Sequence, residues 1–266
     1  MSELMLRVIT AVVLLVGAVL WLFYVPAFWF DVILSAVAIA ATVELLRMIK
    51  MPKSNQFLMV CLLMWGILIV NHAQGLWLPL AWMTLLLGWF VLLALHVNTD
   101  DLAESFQKML YAQWMMAWLI MFVMALMALH THEHGVAFIA GACVGVWLSD
   151  IAAYFTGKAW GKNKLCPAIS PGKTWQGLAG GVFAGLLGAS YVWMTWADMA
   201  WFWAIPLAIL LVVTGVLGDL AESALKRVVG VKDSGTMLPG HGGLLDRMDA
   251  LLPSLPLVAM VWIIFA

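Results

Sequence analysis

The sequence predicts an all-α, polytopic integral membrane protein with about nine transmembrane helices. Of its 266 residues, 65% are apolar and only 10% are charged, whereas roughly a quarter of the residues in an ordinary soluble domain are charged. Several apolar runs approach or exceed the roughly 20 residues that a helix needs to cross a bilayer. These observations exclude a soluble fold. A net charge of -1 gives no general attraction to nucleic acid.

Nine predicted spans follow from reading the apolar runs between polar breaks. In chain order they are Val8–Tyr24, Phe28–Leu46, Phe57–Val70, Leu76–Val97, Tyr111–Leu129, Val136–Phe155, Gly177–Trp196, Trp201–Gly218 and Ala250–Phe265. The third and the ninth runs are short, so either could be re-entrant or buried among neighbours instead of crossing fully. The first run lacks a small-residue cleavage site near its end, so we expect it to remain as an anchor.

The distribution of Lys and Arg orients these spans. All 13 basic residues fall in connections on one side of the predicted membrane. Because cytoplasmic loops carry an excess of Lys and Arg, this asymmetry predicts a cytoplasmic N-terminus and a C-terminus on the far side. The compact sequence and the lack of an organelle-targeting extension favour a bacterial inner membrane.

The chain is expected to form one integrated domain with two parts. Residues 1–135 supply the N-terminal transmembrane helices, and residues 136–266 supply the transmembrane region that carries the chemistry. Within the second part, the connections 157–175 and 219–249 hold eight of the 13 basic residues together with many glycines and several carboxylates. We therefore expect a polar active-site cavity that faces the cytoplasm.

The second of these connections begins with a polar helical face. In GDLAESALKR, Asp219, Glu222, Ser223 and Lys226 are spaced i, i+3, i+4 and i+7, so they share one side of a helix that continues from the eighth span. Two acids and a base therefore project together.

A second pair of acids, Asp246 and Asp249, opens the last span at i, i+3. A hairpin between the two helices could bring these two carboxylates to Asp219 and Glu222. Clustered carboxylate oxygens suit a hard cation such as Mg²⁺, which keeps waters and substrate phosphates among its ligands.

Glycines and basic residues lie between the two acidic pairs. The run GTMLPGHGG supplies four glycines, Gly235, Gly240, Gly242 and Gly243, which would let backbone N–H groups approach an anion closely. Four full positive charges come from Lys226, Arg227, Lys232 and Arg247. A basic residue alone at a helix end is usually an interfacial anchor. Carboxylates for a metal beside cations for phosphate indicate phosphoryl or nucleotidyl transfer.

Two acids lie within apolar runs. Asp150 interrupts the sixth run, with Tyr154 one turn later. An acid at this depth is costly, so it either lines a substrate cavity or bonds to a neighbouring helix, and we favour the cavity. Glu44, near the end of the second run, is interpreted as an interfacial residue.

Two further patterns resemble known binding motifs but have ordinary structural explanations. SPGKT invites comparison with a phosphate-binding Walker A loop, but position 167 is proline where the first glycine should stand, and we expect no strand in an all-helical setting. Lys173 could still contact phosphate as a point charge. The tract of His130, His132, Glu133 and His134 resembles a metal-binding sequence. It lies opposite the basic face, so we assign it no functional metal.

The segment from Ser223 to Asp249 resembles the diagnostic segment of CDP-diacylglycerol synthases, also called phosphatidate cytidylyltransferases. It reads S-x-x-K-R-x4-K-D followed by P-G-H-G-G-x-x-D-R-x-D. The resemblance extends upstream through SPGKTWQGLAGG to SDIAAYFTGKAWGK, while residues 1–135 contribute only a compatible hydrophobic pattern. Gln176 stands where the family commonly carries Glu, and we assign it no catalytic role.

The resemblance implies transfer of the cytidylyl group of CTP to phosphatidic acid, giving CDP-diacylglycerol and pyrophosphate. It implies a requirement for Mg²⁺, an additional monovalent ion such as K⁺, and a homodimer. Asp219 and Asp246 would be the principal metal ligands, supported by Glu222 and Asp249. The expected phosphate and substrate contacts are Lys226, Arg247, Ser170, Lys173, Thr174, Ser223, Arg227, Lys232, His241, Asp150 and Tyr154, of which Lys226 and Arg247 are assigned to catalysis.

Two other functions remain open from the sequence. An ion-coupled transporter could use Asp150, Asp219 and Glu222 as an intramembrane ion path, but it would not explain PGHGG or the basic cluster. A CTP-dependent lipid kinase would transfer the γ-phosphoryl group to a lipid alcohol. Cytidylyl transfer needs no Ser, Cys or His nucleophile, because an ionised phosphate is already nucleophilic.

Overall fold

The computed structural model describes residues 3–72 and 101–265, which are mainly helical. In chain order the elements are α1 (Glu3–Tyr24), α2 (Ala27–Met48), α3 (Lys53–His72), α4 (Leu102–His130), α5 (Gly135–Trp160), β1 (Lys164–Cys166), β2 (Ser170–Thr174), α6 (Trp175–Trp196), α7 (Trp201–Val228) and α8 (Leu251–Phe265). A single turn of 3₁₀ helix, Leu245–Arg247, precedes α8.

Five of the described helices, α2 and α4 to α7, are long and apolar enough to cross a membrane. Shorter apolar segments lie in α1, α3 and α8. A helical, multi-pass architecture therefore agrees with the sequence-based expectation, and eight of the predicted spans coincide with helices. The fourth, Leu76–Val97, lies outside the described residues, so the number nine stays a prediction.

The expectation that no strand accompanies SPGKT is wrong. The five residues Ser170–Thr174 form β2, which pairs antiparallel with β1 in a register that sets Lys164 against Thr174 and Cys166 against Ser170. Since β2 runs directly into α6, the segment does have a strand-to-helix geometry. The Walker A comparison still fails, because Pro167 has no N–H to donate and lies outside both strands.

The chain divides into two compact units, each with its own buried face. The first comprises Met1–Ala18, Phe28–Met124 and Asp233–Asp246, and the second comprises Val19–Ala27, Ala125–Lys232 and Arg247–Ala266. In the first unit, α2 buries a stripe at helical spacing, formed by Phe30, Leu34, Ala38, Ala41 and Leu45. This periodicity of three to four residues places one side of α2 in the core.

An aromatic stack joins three helices of the second unit. Phe138 of α5 lies parallel to Trp193 of α6, with ring centroids 4.8 Å apart, and to Trp262 of α8, at 4.4 Å. The indole N–H of Trp193 donates a hydrogen bond to the backbone carbonyl of Phe138 at 2.9 Å. The buried polar end of Trp193 is thereby satisfied, as a core position requires.

Small residues allow α5 and α6 to approach closely. Gly177, Gly181, Gly185 and Gly188 recur along the buried side of α6. A Cβ built on Gly181 would lie 2.9 Å from Ser149 Oγ, and one on Gly185 would lie 2.7 Å from the carbonyl oxygen of Gly145. A larger side chain at either position would push the helices apart, which is the usual role of small-residue spacing between membrane helices.

The length of α7 determines that the acidic residues after its apolar run remain on a helix. It has 28 residues and ends at Val228, so the acidic face that follows the apolar run remains helical. The end is a Schellman motif: Gly230 has φ +76°, its N–H donates to the carbonyl of Arg227, and the N–H of Val231 donates to that of Lys226.

Candidate active site

The acidic face predicted at the end of the eighth span lies on the last three turns of α7, in the second unit. Lys173 Nζ of β2 is 2.5 Å from Asp219 Oδ2. The hydroxyl of Ser223, one turn further along α7, donates to Asp219 Oδ1 at 3.2 Å. The structure therefore brings the SPGKT segment and the acidic helix face together.

Glu222 and Lys226 form a buried ion pair on the same helix. Glu222 is 1% exposed and Lys226 is 8% exposed, with Nζ and Oε1 3.3 Å apart. Charges removed from water in this way need their partner, because an uncompensated buried charge is strongly destabilising. Lys226 therefore neutralises Glu222, which differs from the role of a phosphate ligand that the family resemblance implies for it.

A cavity of about 460 Å³ opens beside Asp219. Six predicted site residues line it, namely Asp150, Tyr154, Ser170, Lys173, Thr174 and Asp219. Leu165, Leu178 and Val216 add an apolar wall. The favoured interpretation of Asp150, that it lines a cavity, agrees with this geometry. A polar end beside an apolar wall can accommodate a molecule with a charged head and a hydrocarbon tail.

Lys158 is a cavity residue that the sequence analysis did not select. It lines the same cavity, and its Nζ lies 5.9 Å from the centre of the Tyr154 ring. The sequence does contain a pattern that indicates Lys158, because Asp150, Tyr154 and Lys158 are spaced i, i+4 and i+8 and fall on one face of α5.

Several polar side chains in and beside the β1–β2 hairpin form hydrogen bonds with backbone groups. The hydroxyl oxygen of Thr174 accepts from the N–H of Gly177 at 3.0 Å and caps the N-terminus of α6. Gln176 Oε1 accepts from the N–H groups of Lys162 and Asn163 at 3.2 and 3.3 Å. Arg227 Nε donates to the carbonyl of Ile169 at 3.3 Å. These contacts fix the hairpin against α6 and α7.

Asp249 lies just before α8 in the second unit, and its Oδ1 accepts from the N–H of Ala250 at 2.8 Å. Burial raises the pKa of the Asp249 carboxyl to about 7, and the nearby Asp219 carboxylate contributes to that rise. A divalent cation beside the two carboxylates would offset their repulsion. Oxygen donors of this kind fit Mg²⁺, which is commonly held by one or two carboxylates plus waters and phosphates.

Asp246 belongs to the first unit, where its carboxylate holds the segment 233–246. Its Oδ2 accepts from the N–H groups of Ser234 and Gly243 at 2.9 and 2.8 Å, and its Oδ1 lies 3.2 Å from the Ser234 nitrogen. Asp246 thus bonds to both ends of the glycine-rich loop. The expectation that it joins the other three acids around a metal stays a prediction.

The interpretation of Glu44 as an interfacial residue is wrong. Glu44 is 5% exposed, and its carboxylate accepts from the Ser234 hydroxyl at 2.6 Å and from the N–H groups of Leu244 and Leu245, each at 3.0 Å. These partners lie 190 to 201 residues further along the chain. No local pattern around Glu44 could have indicated them.

The glycines of the loop serve two different purposes. Gly240 and Gly242 have φ of +75° and +81°, so the turn between Leu238 and Gly242 needs residues that adopt the left-handed region. Gly235 and Gly243 instead lie against the Glu44 side chain, where a Cβ would collide with the carboxylate. The expectation that all four open the backbone to an anion therefore needs correction for these two.

The remaining predicted residues lie at the surface or in turns. Lys232 and Arg247 are exposed, and His241 lies in the turn, with its N–H bonded to the carbonyl of Leu238 at 2.9 Å. Among the described residues, no three His, Cys, Asp or Glu side chains are grouped so that they alone could hold a metal. Within the histidine tract, His132 packs on Trp262, with ring centroids 4.8 Å apart.

Comparison with known proteins relates the whole chain to one family. The sequence profile described as "Cytidylyltransferase family" matches residues 5–265. A phosphatidate cytidylyltransferase of Haemophilus influenzae is 33% identical over 94% of this chain and 95% of its own length. Proteins of the same name from Bacillus subtilis and Brucella suis are 44% and 49% identical, over 50% and 46% of this chain and 50% and 45% of their own lengths.

Proposed function

Because this chain belongs to the cytidylyltransferase family, we propose that it transfers the cytidylyl group of CTP to phosphatidic acid. The products are CDP-diacylglycerol and pyrophosphate. The observation that carries the assignment of the site is the contact of Lys173 with Asp219 at the edge of the 460 Å³ cavity. It joins the two sequence segments that resemble the family.

In the reaction, an oxygen of the lipid phosphate attacks the α-phosphorus of CTP, and the bond to the β-phosphate oxygen breaks. The nucleophile is already ionised, so the protein holds two anions together and stabilises the charge that develops. The phosphate head of the lipid lies at the polar end of the cavity, near Lys173, Lys158 and Ser170, and its acyl chains follow the apolar wall.

Magnesium is part of this proposal. The family resemblance implies Asp219 and Asp246 as its principal ligands, with Glu222 and Asp249 in support, and the raised pKa of Asp249 beside Asp219 supports a cation near these two. When bound, Mg²⁺ supplies positive charge to the CTP phosphates and to the leaving pyrophosphate. Lys173, whose ammonium group contacts Asp219 here, would then be available to bind a phosphate oxygen. A K⁺ ion beside Mg²⁺ is part of the proposal that rests only on the family resemblance.

The proposal includes an orientation in the membrane, which the distribution of Lys and Arg supports. In this proposal nine spans cross a bacterial inner membrane, and the N-terminus and the active site face the cytoplasm, where CTP is present. In the first unit, Thr10 Oγ1 near the start of α1 donates to the carbonyl of Pro239 in the loop at 3.0 Å. That contact favours one side for the N-terminus and the glycine-rich loop. The homodimer rests on the resemblance alone.

Labelled CTP tests the reaction directly. Purified protein in phosphatidate-containing vesicles is given Mg²⁺ with CTP labelled either in the cytidine or at the γ-phosphate. Cytidylyl transfer puts the cytidine label into lipid and leaves the γ label in pyrophosphate. Label in lipid only from the γ position would assign a lipid kinase. Neither label in lipid would reject both reactions and favour the transporter.

A further inference from the structure

Two carboxylates from distant parts of the sequence hold the glycine-rich loop of the first unit. Asp246 bonds to the N–H groups of Ser234 and Gly243, and Glu44 bonds to the Ser234 hydroxyl and to the N–H groups of Leu244 and Leu245. Ser234 is the shared residue, since its backbone serves one carboxylate and its side chain serves the other. Both ends of the loop are therefore fixed at one place.

Burial makes the Glu44 contacts strong. Glu44 and Ser234 are each 5% exposed, and hydrogen bonds to a charged acceptor are stronger than those between neutral groups, especially away from water. Gly235 and Gly243 leave room for the Glu44 side chain, so even alanine at either position would collide with it. The loop sequence is thus fitted to this carboxylate as well as to its own turn.

We propose that Glu44 is a positioning residue, which acts through the Ser234 hydroxyl and the backbone N–H groups of Leu244 and Leu245 to fix the Asp246 carboxylate for metal and nucleotide binding. The anchoring itself is independent of the reaction, whereas its consequence for Mg²⁺ rests on the proposed function. Glu44 does not contact a reacting group in this assignment. Its effect is to reduce the number of conformations that the loop must give up when Mg²⁺ and CTP bind.

The first measurement is amide hydrogen exchange of the full-length protein in nanodiscs with a chelator present. In Glu44→Ala, exchange at the Leu244 and Leu245 amides should rise by about tenfold or more, because their acceptor is gone. Exchange at the Ser234 amide, which donates to Asp246, should rise as well because the loop opens locally. In Glu44→Gln the rise should be smaller. The amide oxygen can still accept from two donors, while its NH₂ group faces the third.

The second measurement is the Mg²⁺ concentration that gives half-maximal cytidylyl transfer at saturating CTP. Glu44→Ala should raise it by about tenfold, with partial recovery of turnover at high Mg²⁺, and Glu44→Gln should again lie between Glu44→Ala and the wild type. Glu104→Gln is the matched control, since Glu104 is an exposed glutamate of the same unit, paired with Lys108 at 2.6 Å. It should change neither quantity.

Unchanged exchange within 233–246 in Glu44→Ala would overturn the inference, whether or not the wild type transfers cytidylyl groups. If exchange in the loop rises in Glu44→Ala but the Mg²⁺ concentration for half-maximal activity stays at the wild-type value, the proposed effect of Glu44 on metal binding is wrong. If Glu44→Ala fails to fold, Ser234→Ala tests the same network, because it removes only the hydroxyl contact. Exchange that rises equally in α5 to α7 would show a general loss of stability and would also contradict the inference. A wild type without cytidylyl transfer would instead reject the proposed function and leave the exchange comparison valid.

Discussion

At the scale of single residues, charge around Asp219 is balanced by contacts that the sequence could only partly indicate. Asp219 pairs with Lys173 and accepts from Ser223, while Glu222 is neutralised by Lys226 one turn later. The two acids share a helix and differ in role, since Asp219 borders the cavity and Glu222 is buried in the protein. Asp219 is therefore better placed than Glu222 to meet a substrate phosphate or its metal.

Replacing Asp219 with Asn should lower turnover by about 100-fold or more, since the amide keeps the shape but loses the charge that would hold Mg²⁺. The measurement is incorporation of cytidine label into lipid across a range of Mg²⁺ concentrations, with membrane insertion checked by fractionation. Asp198→Asn is a suitable control, because Asp198 is exposed with φ +48°, a conformation that Asn tolerates. Wild-type activity of Asp219→Asn at limiting Mg²⁺ would exclude Asp219 as a ligand.

Replacing Lys173 with Ala should reduce kcat/KM for CTP or phosphatidate by about tenfold or more, through loss of a cation that holds phosphate. The Mg²⁺ requirement should stay the same or fall, since Asp219 no longer has a competing partner. Lys108→Ala provides a close match, because Lys108 also pairs with a carboxylate and its side chain is equally exposed, at 25%. A Mg²⁺ requirement that increases several-fold would show that Lys173 supports the metal site instead.

At the scale of elements, the position of the cavity depends on how closely α5 and α6 pack. The glycines of α6 bring its backbone against Gly145, Ser149 and Ala153 of α5, and the cavity-lining Asp150 and Tyr154 belong to the same stretch of α5. The cap at Thr174 then starts α6 directly after β2, so Lys173 is held at the end of a short rigid strand. Packing of two apolar helices thus determines the distance between polar groups at their ends.

Valine at Gly185 should separate these helices, since even a Cβ would lie 2.6 Å from Val212 Cγ2 and 2.7 Å from the Gly145 carbonyl oxygen. Overpacking of this kind destabilises by about 1–3 kcal/mol. A thermal melt in detergent should show a lower midpoint, and activity should fall with it. Gly17→Val is the control, because no atom lies within 4 Å of a Cβ built there. An unchanged melting temperature in Gly185→Val would show that the α5–α6 contact tolerates a wider spacing.

At the scale of the whole molecule, the distribution of Lys and Arg predicts the side of the membrane from which CTP would reach the site. All 13 Lys and Arg residues occur in connections predicted on one side. Contacts within each unit agree with that assignment, since the loop beside Asp246 meets the end of α2, and His132, from the connection expected on the other side, meets Trp262 near the end of α8. The two motif-bearing connections should therefore face the cytoplasm together.

Single cysteines placed at Asn163, Thr236 and His132 in a cysteine-free background test this orientation. All three positions are exposed, so accessibility should depend on the side of the membrane. A membrane-impermeant thiol reagent added outside intact spheroplasts should label the cysteine at 132 and leave those at 163 and 236 unlabelled until the membrane is opened. Labelling of the cysteine at 163 or 236 from outside, with no labelling of the one at 132, would contradict the predicted topology and the proposed route of CTP.

The sequence by itself determined the membrane class, the position of eight of the described helices, five of which are long and apolar enough to cross a membrane, and the family. Each depends on local information: apolar runs long enough to cross a bilayer, and a motif that lies within one continuous stretch from Ser223 to Asp249. It also placed Asp219, Glu222, Ser223 and Lys226 on one face, because the spacing of residues along a helix is fixed by its geometry.

Only the tertiary structure decided which polar groups become partners. Glu44 holds a loop 190 to 201 residues away, Lys226 is committed to Glu222, and two of the loop glycines make room for a carboxylate instead of an anion. Hydrogen bonds and ion pairs act over a few ångströms in space, so partners far apart in the sequence, such as Glu44 and Ser234, leave no local pattern that a single sequence could reveal.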